Sequence, residues 1–356
     1  MTSTLLLHGG KLAKSARAMV AEGKGLLAMD ESNGTCNQRF ASLGVAQTAE
    51  ARRDWRELIL TTPGLGECIS GVILYDETIH QTSADGTPFA KLLADAGVLI
   101  GIKVDIGAKE LALHAGEKVT EGLDGLRERL VGYAEIGARF AKWRAVIKIG
   151  ANGQALPSPA CIEANAHALA RYAALCQEAG LVPIVEPEVL MDGGHTLQRC
   201  AEVTEAVLRR VFAQLADQAV VLEAMILKPN MVLAGSDCVA KNSAAEVADA
   251  TVQCLLRSVP AAVAGIAFLS GGQSSETASA HLNAMHAERG AAASPGARAL
   301  PWPLTFSFAR AIQYPALEVW AGRAANREAA QRALLHRARC NRAAVRGEYN
   351  AAMESA

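Results

Sequence analysis

The amino-acid sequence predicts an α/β protein with the (β/α)8 fold, also called a TIM barrel. Eight short apolar runs recur along the 356 residues, and longer segments with helical periodicity separate them. The runs are mostly continuous rather than alternating, which is typical of strands buried on both faces of a parallel sheet. An open doubly wound sheet is the alternative, but the G-x-G-x-x-G motif of dinucleotide-binding folds does not follow the first run.

Eight segments are predicted to form the strands of the barrel. In chain order they are 25–30, 71–77, 99–105, a stretch within 139–149, 181–188, 223–230, 265–272 and 303–310. A chain of this length could form two domains, but barrels of this type often reach it as one unit. Since the sequence contains no convincing linker and no repeat of fixed period, we expect a single domain over residues 1–356.

The segments between the strands are predicted to be helices. In 196–217 the apolar residues step by three and four, which indicates an amphipathic helix with one face in water. The other predicted helices are 124–136, which stops at Gly137, then 160–179, 274–287 and an alanine- and arginine-rich C-terminal segment at 316–346, followed by a short tail at 347–356. A surface insertion is expected at 288–299, where glycine, proline and alanine accumulate.

Composition excludes several classes of protein. The 35 lysines and arginines balance 36 aspartates and glutamates, and 51% of the residues are hydrophobic. A disordered chain or a nucleic-acid binder with a basic face is therefore not expected. The N-terminal run Leu5–Leu7 is too short for an export signal or a membrane span. The eight cysteines form no C-x-x-C pair and the histidines have no zinc-type spacing, so we expect a reducing cytoplasm and no metal site.

Ionisable residues stand at the ends of several predicted strands, where barrels of this fold carry their active sites. They are Asp30, Glu31, Lys103, Asp105, Glu186, Glu188 and Lys228. A structural ring of ion pairs is the alternative, but unpaired charges at buried strand ends are costly. Several lysines and carboxylates converging on one barrel mouth favour a catalytic site.

Lys228, in the string L-K-P-N, is the candidate nucleophile. A free lysine has a pKa of about 10.4, so it is protonated at neutral pH and attacks carbonyls poorly. Burial and a second cation both favour its neutral amine, and Lys142 could supply that cation. Glu186, in V-E-P-E, is placed to move the proton that expels water during imine formation.

Two groups of residues are candidates for binding anions. Ser270, Gly271 and Gly272 close the seventh predicted strand, where barrels often bind phosphate, and Arg310 ends the eighth. On the opposite side of the mouth, Lys103 and Arg39 with the hydroxyls of Ser32 and Thr35 suit a second phosphate. The charge layout therefore fits a bisphosphorylated carbonyl compound.

The chain resembles the class I fructose-1,6-bisphosphate aldolases, the metal-free Schiff-base type, over roughly residues 10 to 350. The matching segments are GKGLLAMDES (23–32), GVILYDET (71–78), GIKVD (101–105), FAKWR (140–144), ARYAALCQEAGLVPIVEPE (170–188), LKPNM (227–231) and FLSGGQS (268–274). The resemblance implies reversible cleavage of fructose 1,6-bisphosphate to dihydroxyacetone phosphate and glyceraldehyde 3-phosphate in glycolysis and gluconeogenesis. It implies no cofactor, and a homotetramer.

The resemblance also implies roles for individual residues. Lys228 forms the imine with the C2 carbonyl, Glu186 is the acid and base of carbinolamine dehydration, and Asp30 removes the C4 hydroxyl proton. Glu188 supports the lysine electrostatically, and Lys142 and Arg144 match a charged pair on the fourth strand. The residues matched to the C1 phosphate are Ser270, Gly271, Gly272, Ser307 and Arg310, and those matched to the C6 phosphate are Ser32, Arg39 and Lys103.

The chain departs from the family pattern at three places, one of which is the insertion at 288–299. Phe308-Ala309 stands where the family usually has Tyr-Gly before the arginine. Alanine keeps its backbone N–H, so we expect phosphate binding to persist unless this position needs a φ value that only glycine adopts. The sequence ends in Met-Glu-Ser-Ala rather than in the tyrosine tail of the animal enzymes, and Tyr349 matches an earlier position. The enamine proton donor is thus unassigned. The alternatives are an aldolase for another phosphorylated ketose and a catalytically silent scaffold on the same barrel.

Overall fold

The computed structural model describes residues 3–151, 154–287 and 299–355, with the backbone alone for residues 3–9. The strands are β1 (Gly25–Met29), β2 (Ile69–Leu74), β3 (Leu99–Lys103), β4 (Ala108–Glu110), β5 (Lys118–Thr120), β6 (Phe140–Ile147), β7 (Val182–Val189), β8 (Ile226–Leu227), β9 (Gly265–Phe268) and β10 (Leu304–Phe308). The helices are α1 (Ser3–Met19), α2 (Asn33–Ala41), α3 (Ala49–Leu60), α4 (Asp76–Ile79), α5 (Phe89–Asp95), α6 (Leu126–Ile136), α7 (Pro159–Glu178), α8 (Leu197–Asp217), α9 (Ala244–Ser258), α10 (Ser275–Ala287), α11 (Arg310–Trp320) and α12 (Arg327–Val345).

Eight of the strands close into a parallel barrel, in the order β1-β10-β9-β8-β7-β6-β3-β2. Each of the eight predicted runs overlaps one barrel strand, so the predicted (β/α)8 fold is confirmed and the open doubly wound sheet was the wrong alternative. The remaining strands, β4 and β5, form a separate antiparallel hairpin after β3. Strands of three residues carry too little periodicity for the sequence to indicate them.

The barrel interior is apolar towards the amino ends of the strands. Leu26, Ile73, Phe140, Ile184 and Ile226 form one cluster there with Leu12, Ala16 and Met19 of α1, which covers this end, and with Val20 just after it. Gly101 makes room for the Phe140 ring, since a Cβ at this glycine would lie 2.0 Å from a ring carbon. The charged groups are thereby left at the opposite, carboxyl end of the strands.

The helices form the outer layer, and a second apolar cluster lies between them and the strands. The predicted helices at 124–136, 160–179, 196–217 and 274–287 correspond to α6, α7, α8 and α10. The C-terminal segment expected at 316–346 is divided into α11 and α12, because Ala321 and Gly322 adopt left-handed backbone with φ of 45° and 73°. The insertion expected at 288–299 lies, apart from its last residue, outside the described residues.

None of the helices in the described ranges has both the length and the apolar run that crossing a bilayer requires.

Candidate active site

A cavity of about 2100 Å³ opens at the carboxyl end of the barrel. All fourteen site residues predicted from the sequence line it. They are Asp30, Ser32, Arg39, Lys103, Lys142, Arg144, Glu186, Glu188, Ser270, Gly271, Gly272, Lys228, Ser307 and Arg310. Residues 280 positions apart in the chain are thus brought to one mouth by the closure of the barrel.

Strand alternation accounts for the pairing of charges on β6 and β7. Residues two apart in a strand point to the same face, which places Lys142 with Arg144 and Glu186 with Glu188. The register sets Arg144 opposite Glu186. On the other side of β7, Leu227 pairs with Val185, so that Lys228, the next residue, is level with Glu186.

Two amines and two carboxylates form a buried group at the base of the cavity. The Nζ of Lys142 lies 2.6 Å from Asp30 Oδ2 and 3.4 Å from Glu186 Oε2. The Nζ of Lys228 lies 3.3 Å from Glu186 Oε1, so Glu186 lies between the two amines. All four residues are at most 9% exposed, and their charges sum to zero when all are ionised. We call Asp30, Lys142, Glu186 and Lys228 the central cluster.

The central cluster fixes the charge state of two of its members. Burial alone raises the pKa of Asp30, but the charges of Lys142 and then Lys228 outweigh it and hold that pKa well below its usual range. Burial lowers the pKa of Lys142, but Asp30 and then Glu186 outweigh it and raise the pKa above its ordinary value. At neutral pH Lys142 is therefore an ammonium ion and Asp30 a carboxylate.

Arg144 and Glu188 form a separate pair at the rim. The guanidinium Nε of Arg144 donates a short hydrogen bond to Glu188 Oε2. Burial lowers the pKa of Arg144, but Glu188 outweighs it and raises that pKa. The direct partner of Glu188 is thus Arg144 rather than Lys228.

The loop after β9, together with β10, forms the first candidate anion site. Gly271 and Gly272 have φ of 59° and 92°, a range that favours glycine. A Cβ at Gly272 would lie 3.1 Å from Arg310 Nη2, so the guanidinium lies close against this loop. The hydroxyl of Ser307 is buried and lacks a hydrogen-bond partner among the described residues, which leaves it to a ligand. Ala309 has a φ of −107°, so the glycine usual in the family is not needed for the backbone here.

The predicted cations that follow β1 and β3 are held by carboxylates. The Nη1 of Arg39 donates to Glu31 Oε1, and the buried Arg56 contacts Glu31 Oε2 at 2.8 Å. Lys103 Nζ lies 2.7 Å from Asp105 Oδ1. Ser32 caps α2 by accepting a hydrogen bond from the backbone N–H of Thr35.

Arg56 has no place in the predicted site, although it orients Glu31 and so Arg39. The sequence could have indicated this role, because Arg56 falls within the apolar stripe of α3, and its neighbours Trp55, Leu58 and Ile59 are all buried. An arginine is seldom fully buried unless it is paired.

Tyr349 lies outside this cavity, against α10. Its hydroxyl donates to Glu354 Oε1 at 2.6 Å. Glu354 also belongs to the one group of possible metal ligands found among the described residues, together with His336 and Cys340, whose ligand atoms lie within 4.8 Å of one another. The buried guanidinium of Arg337 already pairs with the Glu354 carboxylate and so supplies the positive charge that a metal ion would bring. We therefore interpret the group as an ion-pair network rather than a metal site.

Comparison with known proteins gives the family. The model of the glycolytic class-I fructose-bisphosphate aldolases matches residues 11–356. A "probable fructose-bisphosphate aldolase class 1" from Xanthomonas campestris is 55% identical over 340 residues, which is 95% of this chain and 98% of the relative. The chain belongs to the class-I fructose-bisphosphate aldolase family.

More distant members match nearly the whole chain. The "fructose-bisphosphate aldolase 6, cytosolic" of Arabidopsis thaliana is 50% identical over 98% of this chain and 94% of the relative. The solved structure of the Plasmodium falciparum aldolase, in complex with TRAP and a small-molecule inhibitor, superposes with a TM-score of 0.92. It is 45% identical, and the match covers 96% of each chain. The class-I aldolase family and its barrel, both expected from the sequence, are confirmed.

Proposed function

We propose that this protein cleaves fructose 1,6-bisphosphate reversibly to dihydroxyacetone phosphate and glyceraldehyde 3-phosphate through an imine on Lys228. The observation that carries the proposal is the central cluster, in which an amine and its proton partner lie buried at the base of a large open cavity. Arg39, Lys103 and Arg310 line the same cavity, and these cations suit a substrate with two phosphates.

Imine formation is assigned to Lys228 and Glu186. The neutral amine of Lys228 attacks the C2 carbonyl to give a carbinolamine, and Glu186 donates the proton with which the hydroxyl leaves as water. The separation of 3.3 Å between Lys228 Nζ and Glu186 Oε1 supports direct proton exchange between them. Lys142, which stays cationic, contacts the other oxygen of the same carboxylate, Glu186 Oε2, at 3.4 Å.

Cleavage is assigned to Asp30. Its carboxylate accepts the proton of the C4 hydroxyl, the C3–C4 bond breaks, and the electron pair moves to the iminium nitrogen to give an enamine. In the resting site Asp30 is a weak base, because Lys142 contacts it at 2.6 Å. A substrate hydroxyl that separates the two groups raises the basicity of the carboxylate where it is needed. Protonation of the enamine and hydrolysis then release dihydroxyacetone phosphate.

The two anion sites are assigned to the two phosphates of the substrate. Ser270, Gly271, Gly272, Ser307 and Arg310 receive the C1 phosphate, and Ser32, Arg39 and Lys103 receive the C6 phosphate. Arg39 and Lys103 give up part of their pairing with Glu31 and Asp105 to do so. This second site favours a bisphosphate over a ketose with a single phosphate.

The remaining assignments follow the family. We infer that the chain acts as a single domain over residues 1–356, as a homotetramer in the cytoplasm and without a metal or other cofactor. A cytoplasmic setting is supported by the Arabidopsis relative, which is named cytosolic.

Borohydride reduction in the presence of dihydroxyacetone phosphate tests the mechanism. We expect a permanent adduct on Lys228, found by peptide mass mapping, and turnover that chelators do not affect. Lys228→Met should abolish trapping, whereas Lys91→Met, which changes a lysine with a 62% exposed side chain, should trap as the wild type does. An adduct on a different lysine, or activity lost on chelation, contradicts the proposal.

A further inference from the structure

We propose that His281 is a positioning residue for the anion loop, residues 270–272, which it holds in place through Gln273. The proposal rests on the function assigned above, since the anion loop is the site given to the C1 phosphate. His281 lies on α10, outside the cavity lining, so it acts on the substrate only through the loop.

A chain of hydrogen bonds joins α10 to the anion loop. His281 Nδ1 lies 2.6 Å from Gln273 Oε1. The Nε2 of Gln273 donates to the backbone carbonyl of Ser270 at 2.8 Å and lies 3.6 Å from the sulfur of Met231. Met231 follows closely after Lys228 in the chain, so Gln273 also links the anion loop to the segment that carries the nucleophile.

The directions of these bonds are determined by their partners. The carbonyl of Ser270 can only accept, so the amide nitrogen of Gln273 faces it and the amide oxygen faces His281. His281 must then carry its proton on Nδ1 and donate it. Burial lowers the pKa of His281 to about 4, so the ring is neutral at physiological pH and keeps this donor role.

The anion loop needs such support because two of its three residues are glycines. Gly271 and Gly272 have positive φ and lack side chains that could pack against the barrel. The helix that bears His281 is firmly held, since Leu282 and Met285 are buried and Ser279 donates to Asn341 at 2.8 Å. Fixing the Ser270 carbonyl against α10 therefore fixes the orientation of the backbone N–H groups that follow it.

Condensation kinetics separate positioning from general packing. Dihydroxyacetone phosphate carries only the phosphate assigned to the anion loop, and glyceraldehyde 3-phosphate only the phosphate assigned to the other side. We expect His281→Leu to raise the KM for dihydroxyacetone phosphate about three- to tenfold, the worth of one hydrogen bond, and to leave the KM for glyceraldehyde 3-phosphate unchanged. His281→Asn should recover most of this loss, because the asparagine amide N–H can stand in for Nδ1–H.

Two further variants test the positioning role even if His281→Leu disturbs folding. Gln273→Met, at a half-buried loop position, should raise the same KM by a similar factor, and combining it with His281→Leu should add little. Met285→Leu, a volume-conserving change on the same helix, should leave both KM values alone.

Three results would overturn the positioning role: equal rises in both KM values, independent effects that multiply in the double variant, or an asparagine variant as impaired as the leucine variant. If the wild-type protein itself performs no condensation, the proposed function fails instead.

Discussion

Replacing Lys142 with methionine removes the ammonium ion that lies between Asp30 and Glu186. The Nζ is 2.6 Å from one carboxylate and 3.4 Å from the other, and all three side chains are buried. The charge of the central cluster changes from zero to −1. Removing one partner of a buried ion pair costs about 3–5 kcal/mol of unfolding free energy, and we expect a loss of that size at about pH 8.

The loss should shrink as the pH falls. In the wild type the pKa of Asp30 is lowered, so its stabilisation is present above the unfolded pKa of about 3.9 and lost as the pH drops through the folded value. In the variant, the burial of Asp30 is no longer offset by Lys142, which raises the pKa of that carboxyl group. As the pH falls, the folded variant then binds a proton at a higher pH than the unfolded chain does. This uptake neutralises the unpaired buried charge, so the loss of unfolding free energy becomes smaller.

Chemical unfolding at about pH 8 and about pH 5 measures both quantities. Lys91→Met, at an exposed pair with Asp95 at 2.7 Å, is the control and should cost less than about 1 kcal/mol at either pH. Adding Asp30→Asn to the Lys142→Met variant should restore more than half of the lost stability, because one unpaired charge disappears. A deficit that is the same at both pH values would refute the electrostatic reasoning.

Three further predictions concern other parts of the molecule. Arg39→Ala removes a charged hydrogen bond to the C6 phosphate, so it should raise the KM for fructose 1,6-bisphosphate about tenfold or more. The KM for fructose 1-phosphate, which lacks that phosphate, should stay unchanged. Steady-state kinetics with both sugars test this, and equal effects on the two KM values would contradict the assignment. Gly101→Ala puts a methyl group 2.0 Å from the Phe140 ring and should lower the unfolding free energy by about 1–3 kcal/mol, so a variant of wild-type stability would exclude this close packing. Ser243→Ala removes the capping box that Ser243 and Glu246 form at the start of α9 and should cost about 1 kcal/mol by the same measurement; no loss would show that the cap contributes nothing.

The architecture was predictable because it depends on a coarse property of the sequence. Continuous apolar runs identify strands buried on both faces, and their topology brings strand ends together without further information. For this reason Lys228, Glu186 and Asp30 could be placed at one mouth from the sequence. The break between α11 and α12 was missed because the alanine-rich composition favours helix, although Gly322 is a stop signal of the same kind as Gly137.

The partners of the charged residues were also beyond the sequence. Arg56 contacts Glu31 and Arg144 pairs with Glu188, and each pair joins separate elements through side-chain conformations that no periodicity encodes. The link from His281 to Gln273 is of the same kind, because it joins a helix to the loop before it. Sequence patterns thus indicate where charges gather but not which of them neutralise one another.

The pairing of β1 with β10 has a consequence for how the protein is made. The barrel closes only when residues 304–308 join a strand formed by residues 25–29, at the other end of the chain. At ribosomal rates of about 5–20 residues per second, the first strand waits roughly a quarter of a minute to a minute for its last neighbour. During that time it presents an unpaired edge, which invites association between nascent chains. We therefore expect the nascent chain to aggregate more readily before residues 304–308 emerge than after them.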